Sequence, residues 1–262
     1  MRTKCLVYMD GVGLHEVSPD VVIQSIDENA PVMQHTTLNK GTHIGQWVTA
    51  AARSYLEVDV TFALRNVRDV PRRAQVLGRI NDWAAGGGIL SVNYRPGRRL
   101  RVVCETLPAA GDVRGWTNEY TLALRAYDVP YWEDDTEAVY TATASAKTDV
   151  LVRRGTVRTP ISFSARNAGT AAVQTLSVAL GDQKIAFSGL GLAVGETLAL
   201  NCGEDGFQRI RILGADGGTR DAYACRTSDS SDELLLTAPH ETITLSAPQT
   251  MAWEIRHRGR YA

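Results

Sequence analysis

The chain has 262 residues, 44 % of them apolar and 22 % charged, with a formal net charge of −1. That is long enough for two domains of ordinary size and too apolar for wholesale disorder. The charge balance exerts no global pull on nucleic acid or on an anionic membrane.

The cations are skewed, 24 Arg against 4 Lys. A genome rich in G and C explains that as readily as an interface does. The four cysteines, Cys5, Cys104, Cys202 and Cys225, include no CxxC pair, which argues against zinc. The N-terminus has too short an apolar core for a signal peptide, and no run approaches the ~20 apolar residues of a membrane span. The chain is therefore expected to be made in a cytoplasm and to stay reduced while it folds.

In chain order, "KCLVYMDG" reads as a short first strand stopped by Gly11 and Gly13. Residues 14–54 are weakly patterned, with short strands between polar turns in "DVVIQSIDEN" and "HIGQWVTAAA". "RSYLEVDVTFALR" then alternates strictly, Leu56, Val58, Val60, Phe62 and Leu64 in one phase, and predicts a long half-buried strand. One helix follows, over about 70–85. Asp69 can cap it, Pro71 suits its first turn, and Val76, Leu77, Ile80, Trp83 and Ala84 form one apolar face. Gly86, Gly87 and Gly88 end it. "GILSVNY" and "RLRVVCETL" form a hairpin about "RPGR", a polar loop spans 108–116, and "EYTLALRAYDVPYW" resumes the strand pattern. Residues 133–149 read as a linker, or a linker plus an edge strand. From there to the C-terminus short alternating strands recur every eight to twelve residues, the pattern of a β-sandwich.

Catalytic chemistry is not evident. The glycines at 86–88 end a helix where a phosphate-binding loop would begin one, and "GVG" at 11–13 lacks the rest of a dinucleotide fingerprint. The five histidines do not cluster for a metal, and no GxSxG elbow is present. Glu133, Asp134 and Asp135 are carboxylates of the kind a glycosidase needs, but neighbours in a linker diverge. In the C-terminal half Phe163, Phe187 and Trp253 sit in apolar phases, which leaves few aromatics for a sugar platform. Residues 65–101 hold nine Arg (65, 68, 72, 73, 79, 95, 98, 99 and 101) with Asp69 and Asp82 as the acids. With no Lys and few stacking aromatics this reads first as a subunit interface, ahead of a solvated face or a nucleic-acid patch.

The sequence resembles the distal tail (Dit) proteins of long-tailed phages, the hub between tail tube and tip. Four features carry the resemblance. The strand "RSYLEVDVTFALR" runs into the Arg-bearing helix "PRRAQVLGRINDWAAGGG". The hairpin turn "RPGRRLRV" follows, and "YTLALRAYDVPYWED" closes the first domain. The last feature is a C-terminal sandwich running from "TPISFSARNAGT" to "MAWEIRHRGRYA". The family's Asp-Pro is here interrupted by Val129.

The resemblance implies an all-β protein. Residues 1–135 would be an N-terminal β-barrel or sandwich with one α-helix, forming a hexameric ring around the tail channel. Residues 136–262 would be a galectin-like or carbohydrate-module-like β-sandwich on the ring's outside. It implies no cofactor, no metal and no catalytic residue. The implied partners are other copies of the chain, the tail-tube protein, tape-measure and tip or tail-associated proteins, and a receptor-binding protein or glycan on the C-terminal domain. There would be no membrane partner, and DNA would pass the lumen without specific binding. The location would be the tail tip of a phage or prophage virion, after synthesis in the host bacterial cytoplasm. Arg72, Arg73, Arg79, Arg95, Arg98 and Arg99 are the candidate subunit-interface residues, directed between subunits or outward. The competing readings are a carbohydrate-binding module with an exposed aromatic platform and a tail-associated hydrolase using Glu133 or Asp135.

Overall fold

The computed structural model describes residues 5–29, 32–39, 46–67, 69–108, 119–202 and 208–262. Arg68, His43 and most of the loop 108–116 lie outside them. The chain divides into two compact units, Met1–Trp132 and Glu133–Ala262, against the expected domain boundary between residues 135 and 136.

The first unit contains β1 (Val7–Met9), β2 (Val12–Gly13), α1 (Leu14–Val17), β3 (Val21–Glu28), β4 (Val32–Asn39), β5 (Gln46–Leu64), α2 (Val70–Ala85), β6 (Gly88–Val92), β7 (Arg98–Thr106) and β8 (Glu119–Ala126). The strands pair antiparallel in the order β2-β1-β6-β7-β8-β5-β3, with β4 added on β5. Leu56, Val58, Val60, Phe62 and Leu64 are buried along β5, and Leu100, Val102, Leu122, Leu124 and Ala126 are buried from β7 and β8. Period-two alternation thus gives the sheet one apolar inner face and one polar outer face.

α2 covers the inner face through Val76, Leu77, Ile80 and Ala84, all buried. Its cap is the Asp69 carboxylate, which accepts the Arg72 N–H at 3.3 Å. Trp83 corrects the expectation that it shares this face. It is half-buried at the flank and donates its indole N–H to the Val12 carbonyl at 3.1 Å. An indole N–H removed from water needs such a partner, which draws the ring to the edge of the apolar stripe. At the helix end Gly87 has φ +61°, and a Cβ there would stand 2.3 Å from the Val102 carbonyl oxygen. The glycine permits both the left-handed turn and the close approach of β7. In the β6–β7 turn, Arg95 N–H bonds the Val92 carbonyl at 3.1 Å and Gly97 takes φ +70°.

Residues 14–54 are more ordered than their weak pattern suggested. β5 begins at Gln46 and pairs with β4 from Asn39↔Gln46 to Val32↔Tyr55, forming one long hairpin. Its pattern is faint because residues 33–37 are exposed without interruption, so neither phase needs to be apolar. α1 was not foreseen. It is a single turn anchored by buried Leu14, with Glu16 accepting the Gly13 N–H at 2.8 Å.

β9 (Trp132–Asp134) spans the boundary between units. The second unit continues with β10 (Ala138–Val152), β11 (Thr159–Pro160), β12 (Ser162–Asn167), β13 (Val173–Leu180), β14 (Gln183–Leu192), β15 (Thr197–Cys202), β16 (Gln208–Leu213), β17 (Thr219–Asp221), a 3-10 turn (Tyr223–Cys225), β18 (Leu235–Leu236), β19 (His240–His257) and β20 (Arg260–Tyr261). Of the two readings of residues 133–149, the edge strand is present and a plain linker is not. These residues are two strands, and β10 is an edge strand paired with β19 along its whole length. Its small polar outer residues resemble linker composition because that side of the strand faces solvent.

β19 organises the sandwich. Its first part, Ile243–Ser246, pairs with β13, and its second, Met251–Arg256, pairs with β12. Pro248 lies in the gap, where no ladder bond is needed, and β10 has a bulge between Ala144 and Ala146 at the same level. The Trp253 indole N–H takes the Ala144 carbonyl at 2.9 Å. The sheet turns on itself there, and its two leaves, β14-β13 and β12-β15-β16-β17, enclose the core. Phe163 of one leaf meets Phe187 of the other edge-on, at 6.5 Å and 71°. The free edge of β14 is closed by the loop after the 3-10 turn. Ser231 and Ser230 hydroxyls accept the Lys184 and Ala186 N–H groups at 3.0 and 2.9 Å. The Ser231 and Thr227 N–H groups return bonds to the Lys184 and Ala186 carbonyls.

Candidate assembly surface

Among the described residues, the arginines of 65–101 have different surroundings. Arg72 is exposed on α2 and pairs with Asp20 at 3.0 Å. Arg73, one residue on, is half-buried and points a guanidinium nitrogen at the Val67 carbonyl, 3.5 Å away. Arg79 is exposed two turns along the helix, and among the described residues it has no ion-pair partner. Arg98 and Arg99 open β7, half-buried, each with a partner of its own.

Arg95 has the fullest set of partners. Its Nε and a terminal nitrogen reach the two oxygens of Glu28 at 2.8 and 2.7 Å. The same carboxylate accepts the Tyr94 hydroxyl at 2.7 Å and the Trp132 indole N–H at 3.0 Å. Arg95 also lies 5.4 Å from the centre of the Trp132 ring. Burial by itself would raise the Glu28 carboxyl, but the hydrogen bonds from Arg95, Tyr94 and Trp132 and the Arg95 charge outweigh it and hold the group below its ordinary value. This cluster ties the end of β3, which leads into the β4–β5 hairpin, to the β6–β7 turn and to the last residue of the first unit.

Sequence reasoning missed a second cluster, on the outer face of the same sheet. Arg125, on β8, is held by Glu57 at 2.5 Å, Asp59 at 3.1 Å and Glu105 at 3.3 Å. The Tyr127 hydroxyl donates to Glu105, and the Tyr127 ring packs against Tyr55 at 5.3 Å. Arg53 lies over Tyr131 at 4.6 Å. The signal was present in the second phase of "SYLEVDV", whose Tyr and acids share one face, but the cross-strand partner Arg125 is 68 residues from Glu57.

The residues considered for catalysis have structural partners. The Asp10 carboxylate occupies the space beside Gly88 and accepts the Ile89 N–H at 2.9 Å, where a phosphate loop would need free amides. Glu133 accepts from Arg260 at 3.1 Å. Asp134 is buried and accepts from the Gly259 N–H and the Tyr261 hydroxyl, each at 3.2 Å. The Asp135 carbonyl takes Arg258 at 2.5 Å. These contacts fasten the C-terminal residues to the start of the second unit. Among the described residues no group of three or more His, Cys, Asp or Glu side chains is placed to hold a metal ion, and no helix is long and apolar enough to cross a membrane. Phe163, Phe187 and Trp253 are buried in the sandwich core.

Two antiparallel β units in series, the first carrying one long helix, define the fold class. The fold is that of the Dit protein of SPP1, described as a paradigm of hub adsorption apparatus in Gram-positive infecting phages. The likeness covers 99 % of this chain and 100 % of that one, with a TM-score of 0.70 and 12 % sequence identity. A component of the phage P2 baseplate in its activated conformation with Ca is also similar, over 99 % of this chain and 98 % of that one, with a TM-score of 0.52 and 4 % identity. No protein-family model matches the sequence, and no curated protein matches it.

Proposed function

We propose that this protein is a distal tail (baseplate hub) component of a phage or prophage. In this reading it is a hexameric ring that joins the tail tube to the tip and receptor-binding apparatus. The observation that carries it is the correspondence of both units, end to end, with the SPP1 Dit hub. The β4–β5 hairpin supports assembly independently. Residues 46–55 of β5 pair with β4 and, among the described residues, with no other strand. Residues 33–37 are exposed on both faces of this ribbon, and Val48 is 61 % exposed. A two-stranded ribbon is at best marginally stable in water by itself, so a neighbouring subunit would stabilise it.

The role is structural and not enzymatic. DNA would pass the lumen without specific binding, and no membrane is engaged. The candidate interface arginines divide under this reading. Arg72 and Arg79 present charge outward from α2, while Arg73, Arg95, Arg98 and Arg99 are half-buried with partners of their own. The second unit would carry the contact to a tip or receptor-binding partner. Light scattering and negative-stain microscopy of the full chain, alone and with a tail-tube protein, test the proposal. Six-fold rings are expected, and a monomer under both conditions would overturn it.

A further inference from the structure

We propose that the outer face of the first unit's sheet, where Tyr55, Tyr127, Glu57, Asp59, Glu105 and Arg125 stand together, receives the exposed side of α2, led by Arg79, from a second copy of this chain. The inference rests on the ring reading above and names the two surfaces that meet.

The sheet face has the composition of a binding hot spot, in which tyrosine and arginine dominate. Tyr127 is 43 % exposed, and the side chain of Glu105 46 %. Around Arg125 it also gathers acid. Three carboxylates share the one guanidinium of Arg125. A fourth, Asp27, is directly opposite Asp59 in the β3–β5 register. Like charges opposed across a ladder are unfavourable, and the cation on this side of β5 itself, Arg53, lies over the Tyr131 ring. The complementary group is on the same chain. Arg79 is exposed on α2 and unpaired among the described residues, and a guanidinium fork suits carboxylates.

The geometry fits repetition. α2 lies on the inner side of the sheet, so its solvent side and the sheet's outer face are opposite sides of the first unit. A contact between two different surfaces of one body is head-to-tail, the kind that closes into rings. The Arg125 cluster is then a positioning device, holding the three carboxylates where an incoming cation meets them.

The test uses the full chain, with assembly followed by light scattering against concentration and folding by circular dichroism. Arg79→Glu and Glu105→Arg are each expected to raise the concentration of half-assembly about tenfold or more, and the double variant is expected to recover most of that loss. Tyr127→Ser removes an exposed aromatic and is expected to weaken assembly while the fold is retained. If Glu105→Arg does not fold, Arg79→Glu and Tyr127→Ser decide the matter. Wild-type assembly by both of these, or failure of a folded double variant to recover, overturns the proposed contact and leaves the ring reading standing. A wild-type chain that stays monomeric at every concentration, both alone and with a tail-tube protein, removes the ring reading and this contact with it.

Discussion

Glu28 and Arg95 are 67 residues apart in sequence and meet as a two-pronged pair, with both carboxylate oxygens engaged at 2.8 and 2.7 Å. The pair closes the corner where the β4–β5 hairpin leaves the sheet. Glu28→Gln keeps the shape and removes the charge. With Arg95 about a third exposed, the expected cost is about 1–2 kcal/mol, read as a lower midpoint in urea unfolding. An unchanged midpoint would show that the pair adds nothing to stability.

The same group sets an acid dependence. The Glu28 carboxyl is held below its ordinary value of 4.5 in the folded protein, so the unfolded chain binds its proton first as the pH falls. Its contribution is complete above about pH 4.5 and is lost as the pH drops through the lower folded value. Wild type is therefore expected to lose stability more steeply than Glu28→Gln below that pH, as measured by melting temperature against pH.

His257 gives a dependence nearer neutrality. Burial lowers its pKa from the ordinary 6.5. Its bond to the Val152 carbonyl acts in the opposite direction, and the nearby Arg154 charge adds to the lowering. The folded second unit keeps the ring neutral while the unfolded chain takes up a proton, so stability is full above about pH 6.5 and falls below it. In His257→Gln the melting temperature is expected to change less between about pH 7.5 and 5.5 than in wild type. Identical slopes would remove His257 as the source.

Two adjacent glycines are expected to behave differently. Gly86 has φ −77° and open space around its Cα, so Gly86→Ala should be neutral or stabilising by about 0.5 kcal/mol. Gly87 has φ +61° and the Val102 carbonyl 2.3 Å from where a Cβ would be. Gly87→Ala should cost about 2 kcal/mol or more, because the left-handed turn and the β7 contact are both disturbed. Equal thermal shifts in the two variants would contradict this placement of the helix end.

Ser230 and Ser231 close the free edge of β14. Their joint replacement by Ala leaves two edge N–H groups without these acceptors. About 1–2 kcal/mol of destabilisation and an increased tendency to self-associate are expected. Calorimetry checks the first and turbidity on heating the second.

Much of the fold was legible because it rests on local rules. The alternation of Leu56, Val58, Val60, Phe62 and Leu64 defined β5. The Asp69 cap, the Pro71 first turn and the Gly86–Gly88 stop bounded α2, and the even spacing of short strands after residue 150 marked the sandwich. The misses share a physical reason. The β4–β5 hairpin and the outer side of β10 face solvent, so their sequences carry no burial pattern to read. Trp83 moved to the flank of its helix for a hydrogen-bond partner 71 residues away.

The candidate surface divides in the same way. The sequence by itself determined that Arg is concentrated between residues 65 and 101, that Gly86–Gly88 ends a helix, and that Tyr55, Glu57 and Asp59 share one side of a strand, because side-chain direction along a strand or helix is a matter of local geometry. Only the tertiary structure decided that Arg95 is spent on Glu28, that Arg125 gathers Glu57, Asp59 and Glu105, and that Arg79 is left exposed. Ion pairing depends on which strands become neighbours, and the pairing of β5 with β8 joins Glu57 to Arg125 and Asp59 to Ala123, far beyond the reach of any local rule.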